Sequence, residues 1–176
     1  MTAFQAMSSN RCAKNALDEF EDIEDVLSPD LIVPNLQADS KIGAIKELID
    51  RLHVQSVIKD SLGFLQDVLS RENLQSTILD EDFVLPHARS RTVRQLSMAV
   101  GISRHPIRFS SGDESRPVRL ICLLAVPLGA TSDALRLQGL VGALRQSAFK
   151  QRLLQSTSNQ ELYRNLLLLS NHLTEG

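Results

Sequence analysis

The stretch SRENLQSTILDEDFVLPHAR, residues 70–89, changes character along its length. It leaves a helical pattern, crosses a run of acids, enters the apolar triplet Phe83–Leu85, and ends on Pro86 and His87 with Arg89 just beyond. A histidine so placed is either a satisfied structural residue or a reactive one. Composition does not decide between the two.

Upstream, apolar residues recur at helical spacing. In ADSKIGAIKELIDRLHV, Ile42, Ile45, Leu48, Ile49 and Leu52 form one stripe, with Asp39 or Ser40 as the N-cap. In SVIKDSLGFLQDVLSREN the stripe is Ile58, Leu62, Leu65 and Leu69, and Arg71 falls near the C-terminal end. Downstream the period becomes two. Leu96, Met98, Val100 and Ile102 share one strand face, and FVL before the histidine is a short strand. The run VRLICLLAVP from Val118 is apolar throughout, as a strand covered on both faces is. IRF at 107–109 reads as a short strand after a turn at His105 and Pro106, and SSGDESRP at 110–117 as a loop.

The last third is helical again. Leu137, Leu140, Val141 and Leu144 line one side of a helix capped by Thr131 or Ser132, and Ser158 with Glu161 forms a capping box. Helices, then strands, then helices describe a single α/β (α+β) domain, a mixed sheet flanked by helices on both faces. Residues 1–27 read as an N-terminal extension, flexible or partly helical, and residues 28–176 as the domain.

The chain has 176 residues, 43% of them hydrophobic, and a formal net charge of −2, so no basic field argues for nucleic acid. Cys12 and Cys122 stand far apart in no metal or redox spacing. The apolar run Leu120–Leu128 is too short to span a bilayer, and nothing argues for membrane insertion. The expected compartment is the cytoplasm. His53, His105 and His172 share no ligand spacing, so no metal or organic cofactor is expected.

The order of elements and the segment around His87 resemble the enzyme IIA domain of the phosphoenolpyruvate-dependent sugar phosphotransferase system, fructose and mannitol type, a family that includes the nitrogen-regulatory IIA proteins. The features that carry the resemblance are Arg71-Glu72, Ser76-Thr77, the strand FVL, and Pro86-His87 followed by a small and a basic residue. It implies the IIA fold and a phosphoryl group accepted on His87. It implies Arg71 as the residue that stabilises the phosphoryl group and Glu81 as the one that orients the imidazole. Ser76, Thr77 and Arg89 are implied as neighbouring binding residues. The chemistry is sound without the name: an ordinary histidine, with a pKa of about 6.5, is largely neutral and nucleophilic near pH 7. An anionic phosphoryl group needs positioned cations, arginine above all.

The implied function is a phosphoryl carrier, of the regulatory nitrogen type, that takes phosphate from the histidine phosphocarrier protein and passes it to a IIB domain or holds it as a signal to a regulatory target. Two departures from the family pattern stand against it. Loop glycines are replaced by Ile78, Asp80 and Asp82, which implies a different loop path and acids near an incoming phosphate. A second family histidine is replaced by Ala134. The alternative is therefore a IIA-like binding module without phosphotransfer. Arg89, Arg91 and Arg94 are either a solvated loop or a docking surface for an acidic partner.

Overall fold

A computed structural model describes residues 23–130 and 141–174. Along the chain lie a helical turn α1 (Ile23–Val26), a 3-10 turn (Pro29–Leu31), strand β1 (Ile32–Val33), and helices α2 (Lys41–Val54) and α3 (Ser61–Leu74). Strands β2 (Ile78–Asp80), β3 (Asp82–Val84), β4 (His87–Ser90), β5 (Ser97–Ser111) and β6 (Glu114–Pro127) follow, then helices α4 (Ser147–Leu154) and α5 (Asn159–Thr174).

The sheet runs β1-β5-β6-β3-β2, and β4 shares the edge of β6 with β3. β5 and β6 form an antiparallel hairpin and β2 pairs antiparallel with β3, while β1 runs parallel to β5, and β3 and β4 run parallel to β6. The mixed sheet with helices on both faces is as the sequence pattern expects. Successive β6 side chains alternate between two cores. Ile121, Leu123 and Ala125 pack with α2 and α3, whereas Leu120, Cys122, Leu124 and Val126 pack with α4 and α5. That double coverage is why the run carries no polar residue between Leu120 and Val126. Burial pushes the Cys122 thiol pKa up, which leaves it inert.

Local chemistry sets the helix ends. Ser40 accepts the Gly43 N–H at 3.2 Å and Asp60 the Gly63 N–H at 3.0 Å, so each N-terminus is capped. α2 ends in a Schellman arrangement: the Ser56 N–H donates to the His53 carbonyl and the Val57 N–H to the Leu52 carbonyl, with Ser56 at φ 59°. In α2 the buried stripe is Ala44, Ile45, Leu48, Ile49 and Leu52, while Ile42 in the first turn is exposed. In α3 the deepest residues are Phe64, Val68 and Glu72, with Leu65 and Leu69 at the flank. Leu62, expected on the stripe, lies about 200° round the helix from Phe64 and is exposed.

The strands are longer than the sequence indicates. The segment read as a loop, 110–117, is mostly ladder: Ser110 pairs with Ser115 and Ser111 with Glu114, and only Gly112 and Asp113 make the turn. Gly112 takes φ 58°, which a tight turn needs and glycine supplies without strain. Polar side chains on a solvated ribbon look like a loop in sequence, yet their backbones pair. His105 and Pro106 fall in an irregularity of the ladder between Ile102 and Ile107, not between separate strands.

At the C-terminal end, Ser158 caps α5 by accepting the Glu161 N–H at 3.1 Å. The Glu161 carboxylate takes the Thr157 N–H at 2.9 Å, one residue before the expected partner. The expected caps Thr131 and Ser132, with Leu137 and Leu140, lie outside the described residues. So does the extension as far as residue 22. Leu27 is buried in the second core, so packed structure begins before residue 28.

Candidate functional site

His87 is positioned by a break in strand pairing. β3 runs along β6 as far as Val84 opposite Ile121, and β4 resumes with His87 opposite Leu124. Between them Leu85 turns its N–H away from β6, to the Thr77 carbonyl at 3.0 Å. Pro86 has no N–H to lose, and its carbonyl accepts the Leu124 N–H at 2.9 Å. The His87 ring lies back over the residues before it, and its Nδ1 stands 2.9 Å from the Leu85 carbonyl. A carbonyl only accepts, so Nδ1 carries the proton and the neutral ring keeps its lone pair on Nε2. The residue is half-buried.

The backbone that holds Leu85 is itself fixed by a buried acid. Glu72, 2% exposed, ends the inner row of α3. One of its carboxylate oxygens accepts the Thr77 hydroxyl, and the other pairs with Lys41 Nζ of α2 at 2.8 Å. Lys41 also donates to the Ser110 carbonyl at 2.9 Å and lies 5.8 Å from the Phe109 ring centroid, while the Ser111 hydroxyl donates to the Glu72 carbonyl at 2.9 Å. A charge this deep requires such partners. Together they join α2, α3 and β5, and they fix the segment that leaves α3.

Arg71 precedes Glu72. Its guanidinium Nη1 donates to the Gln75 carbonyl at 3.1 Å, closing the end of α3. Ser76 Oγ accepts the Ile78 N–H at 3.2 Å, a local turn bond. Arg71, Ser76, Thr77 and His87 are therefore linked through one short stretch of backbone, 75–77, and through Leu85. The Glu81 side chain is exposed and makes no bond to the ring; the bond that fixes the tautomer comes from the Leu85 carbonyl instead.

Asp80 and Asp82, which stand where the resemblance expects glycine, are each matched by a cation. Lys150 of α4 donates to Asp80 Oδ2 at 3.0 Å and to the Glu81 carbonyl at 2.7 Å. The bond from Lys150 holds the Asp80 carboxyl below the usual range, helped by the Glu81 N–H and by Arg145 nearby. Arg119 lies 3.5 Å from Asp82 Oδ2. Asp82 keeps a glycine-like backbone, at φ 66°. Aspartate is among the few side chains that tolerate this region. Of Ile78, Asp80 and Asp82, only Asp82 takes a positive φ.

Arg89 donates to the Ala130 carbonyl at 2.5 Å, tying β4 to the chain beyond β6. Ala134 lies outside the described residues. His53 contacts the Ile58 carbonyl at 3.3 Å, His105 is exposed on β5, and His172 falls near the end of α5. Among the described residues no group of three His, Cys, Asp or Glu side chains could hold a metal ion, and no helix is long and apolar enough to cross a membrane.

Sequence reasoning gave no role to Glu72, Leu85 or Lys150. Glu72 carried a usable signal: an acid at the next step of the four-residue row Phe64, Val68 is aimed inward and needs a cation. Leu85 acts through its carbonyl, which no side-chain pattern reveals.

A family model described as "Phosphoenolpyruvate-dependent sugar phosphotransferase system, EIIA 2" matches residues 25–168. The chain is 29% identical over 135 residues to the PTS system 2-O-alpha-mannosyl-D-glycerate-specific EIIABC component of Escherichia coli, matching 76% of this chain but spanning only 20% of that protein's length. It is 29% identical over 147 residues to a nitrogen regulatory protein of Bradyrhizobium diazoefficiens, covering 83% of this chain and 95% of that one. The crystal structure of nitrogen regulatory protein IIA-Ntr from Neisseria meningitidis superposes with a TM-score of 0.73 at 30% identity, covering 82% of this chain and 98% of that one.

Two stability outcomes follow from this geometry. Glu72→Ala leaves Lys41 uncompensated and lowers unfolding free energy in urea by about 3–5 kcal/mol, and the double variant Lys41→Met, Glu72→Leu loses less than Glu72→Ala alone. A double variant that loses more contradicts the assignment. At Asp82, valine costs about 1–2 kcal/mol in the left-handed backbone, whereas glycine suits that backbone and gives up only the long, 3.5 Å contact with Arg119, so it stays within about 1 kcal/mol of wild type. Equal losses for both substitutions would show that the positive φ is not the constraint.

Proposed function

The chain belongs to the EIIA 2 family of the phosphoenolpyruvate-dependent sugar phosphotransferase system, and on that premise we propose that it is a phosphoryl carrier whose acceptor atom is His87 Nε2. The observation that carries the reading is the hydrogen bond from Nδ1 to the Leu85 carbonyl. It leaves the nucleophilic lone pair on one nitrogen only.

In the proposed step, the Nε2 lone pair forms a bond to phosphorus as the P–N bond of a phosphohistidine on the histidine phosphocarrier protein breaks. The departing imidazole recovers its electron pair. His87 keeps its Nδ1 proton throughout, and the Leu85 carbonyl stabilises the positive charge the ring gains. Transfer with so little covalent machinery depends on placement and on cations. Arg71 spends one of its five N–H donors on Gln75, and the others are its means of meeting the phosphoryl oxygens. The acids of the preceding loop do not oppose an incoming anion at full strength, since Lys150 and Arg119 offset their charge.

The phosphoryl group then passes to a IIB domain or is held as a regulatory state. The match along nearly the whole length of nitrogen regulatory proteins supports the second use. The setting that suits such a donor is the cytoplasm.

Incubation with phosphoenolpyruvate, enzyme I and the histidine phosphocarrier protein adds one acid-labile phosphoryl mass to wild type and none to His87→Ala. Arg71→Ala lowers the initial rate by about 100-fold, as loss of a charge-stabilising donor does. If neither wild type nor variant gains mass while a control IIA domain does, the chain is a IIA fold that works by binding alone.

A further inference from the structure

The turn that follows β4 carries Arg91 and Arg94, and it is tied to the link between α2 and α3. Ile58 and Val93 form an isolated antiparallel bridge, the Lys59 N–H donates to the Thr92 carbonyl at 2.9 Å, and the Arg94 N–H donates to the Val57 carbonyl at 2.9 Å. Ile58 and Val93 are buried, whereas Lys59, Arg91 and Arg94 stand exposed beside them. The backbone is thus pinned while three cations face solvent.

Lys46, Arg119 and Lys150 each face a carboxylate. Among the described residues, Lys59, Arg91 and Arg94 form no ion pair and no side-chain hydrogen bond. Asp60, next to Lys59, is engaged in capping α3. Val54 and Leu62, at the helix ends on either side of the link, are exposed large apolar side chains. Uncompensated cations beside open apolar groups suit an acidic segment that carries an apolar residue of its own.

The chain holds such a segment. Residues 18–22 read DEFED, with Phe20 among Asp18, Glu19, Glu21 and Asp22, and they lie outside the described residues. They lead into α1, which packs against β5. Because β1 runs parallel to β5, with Ile32 opposite Val100, the chain enters the sheet at the end where β5 begins. Val26 of α1 and Leu96 border the same core, and Leu96 is two residues from Arg94. Five residues reach up to about 17 Å at about 3.3 Å each. Single exposed ion pairs are weak, but a tethered segment faces its site at an effective concentration on the order of millimolar.

We infer that the surface formed by Lys59, Arg91 and Arg94 is a docking site for the chain's own acidic segment, residues 18–22, held by charge and by Phe20 against Leu62 or Val54. An acidic partner meets this surface only once the segment has left it. The inference does not rest on the carrier reading.

Zero-length carbodiimide cross-linking of the full chain, mapped by mass spectrometry, tests it. Lys59 becomes joined to an acid of residues 18–22, and the yield falls severalfold in the double variant Arg91→Ser, Arg94→Ser and in salt of about 1 M, where charges are screened within about 3 Å. The Lys46–Asp50 pair, 2.8 Å apart, is the control for the reagent. If that control forms and Lys59 joins no acid of the segment, the proposal is overturned and the surface is open to an external acidic partner. An unchanged yield in the double variant overturns it too, because the arginines would not be what holds the segment. A mixture of 14N- and 15N-labelled protein separates the remaining occupant: links within one label support the proposal, and links that mix labels at random assign the surface to a second copy and contradict it.

Discussion

The carboxylate of Glu72 lies almost wholly out of water, and the site is built around satisfying it. A buried acid without partners is untenable, so the chain supplies Lys41 from α2 and Thr77 from the segment that follows α3. Those two partners have a structural consequence beyond neutralising a charge. Lys41 closes α2 against the ribbon at Phe109 and Ser110, and Thr77 stops the chain where its carbonyl receives the Leu85 N–H. Leu85 in turn holds His87. Arg71, one residue before Glu72, closes the same helix end. His87 and Arg71 are thus placed through one stretch of backbone rather than by direct contact with each other.

The acids of the β2–β3 turn show how a departure from a family pattern is accommodated. Asp82 holds the left-handed backbone that the resemblance assigns to glycine, and Asp80 takes a buried cation from α4. Local strain at one position and an ion pair at the next replace conformational freedom with a fixed geometry. The added negative charge is met in both cases by a residue distant in sequence, Lys150 or Arg119.

Much of the architecture was legible because its causes are local. The period change between α3 and the strands, the caps at Ser40 and Ser158, and the unbroken apolar run of β6 are each written in consecutive residues. The extent of the hairpin was not, because polar residues 110–117 pair through backbone groups that side chains do not advertise. The placement of Leu62 was misjudged because leucines at neighbouring angles compete for one stripe, and the buried one is decided by packing. At the candidate site, Arg71 and His87 were singled out by pattern, whereas the contacts of the Leu85 carbonyl and of Lys150 arise from tertiary placement. The bond to the ring that was expected of Glu81 is made by that carbonyl, two residues before His87.

The proposed chemistry depends most directly on which imidazole nitrogen is free to react. With the protein labelled with 15N at histidine and phosphorylated by its donor, one-bond coupling between 31P and 15N identifies the nitrogen that bears phosphorus. Coupling at Nε2 of His87, with the proton retained on Nδ1, is the result this geometry requires. Coupling at Nδ1 would mean that the bond to Leu85 does not set the chemistry of the ring.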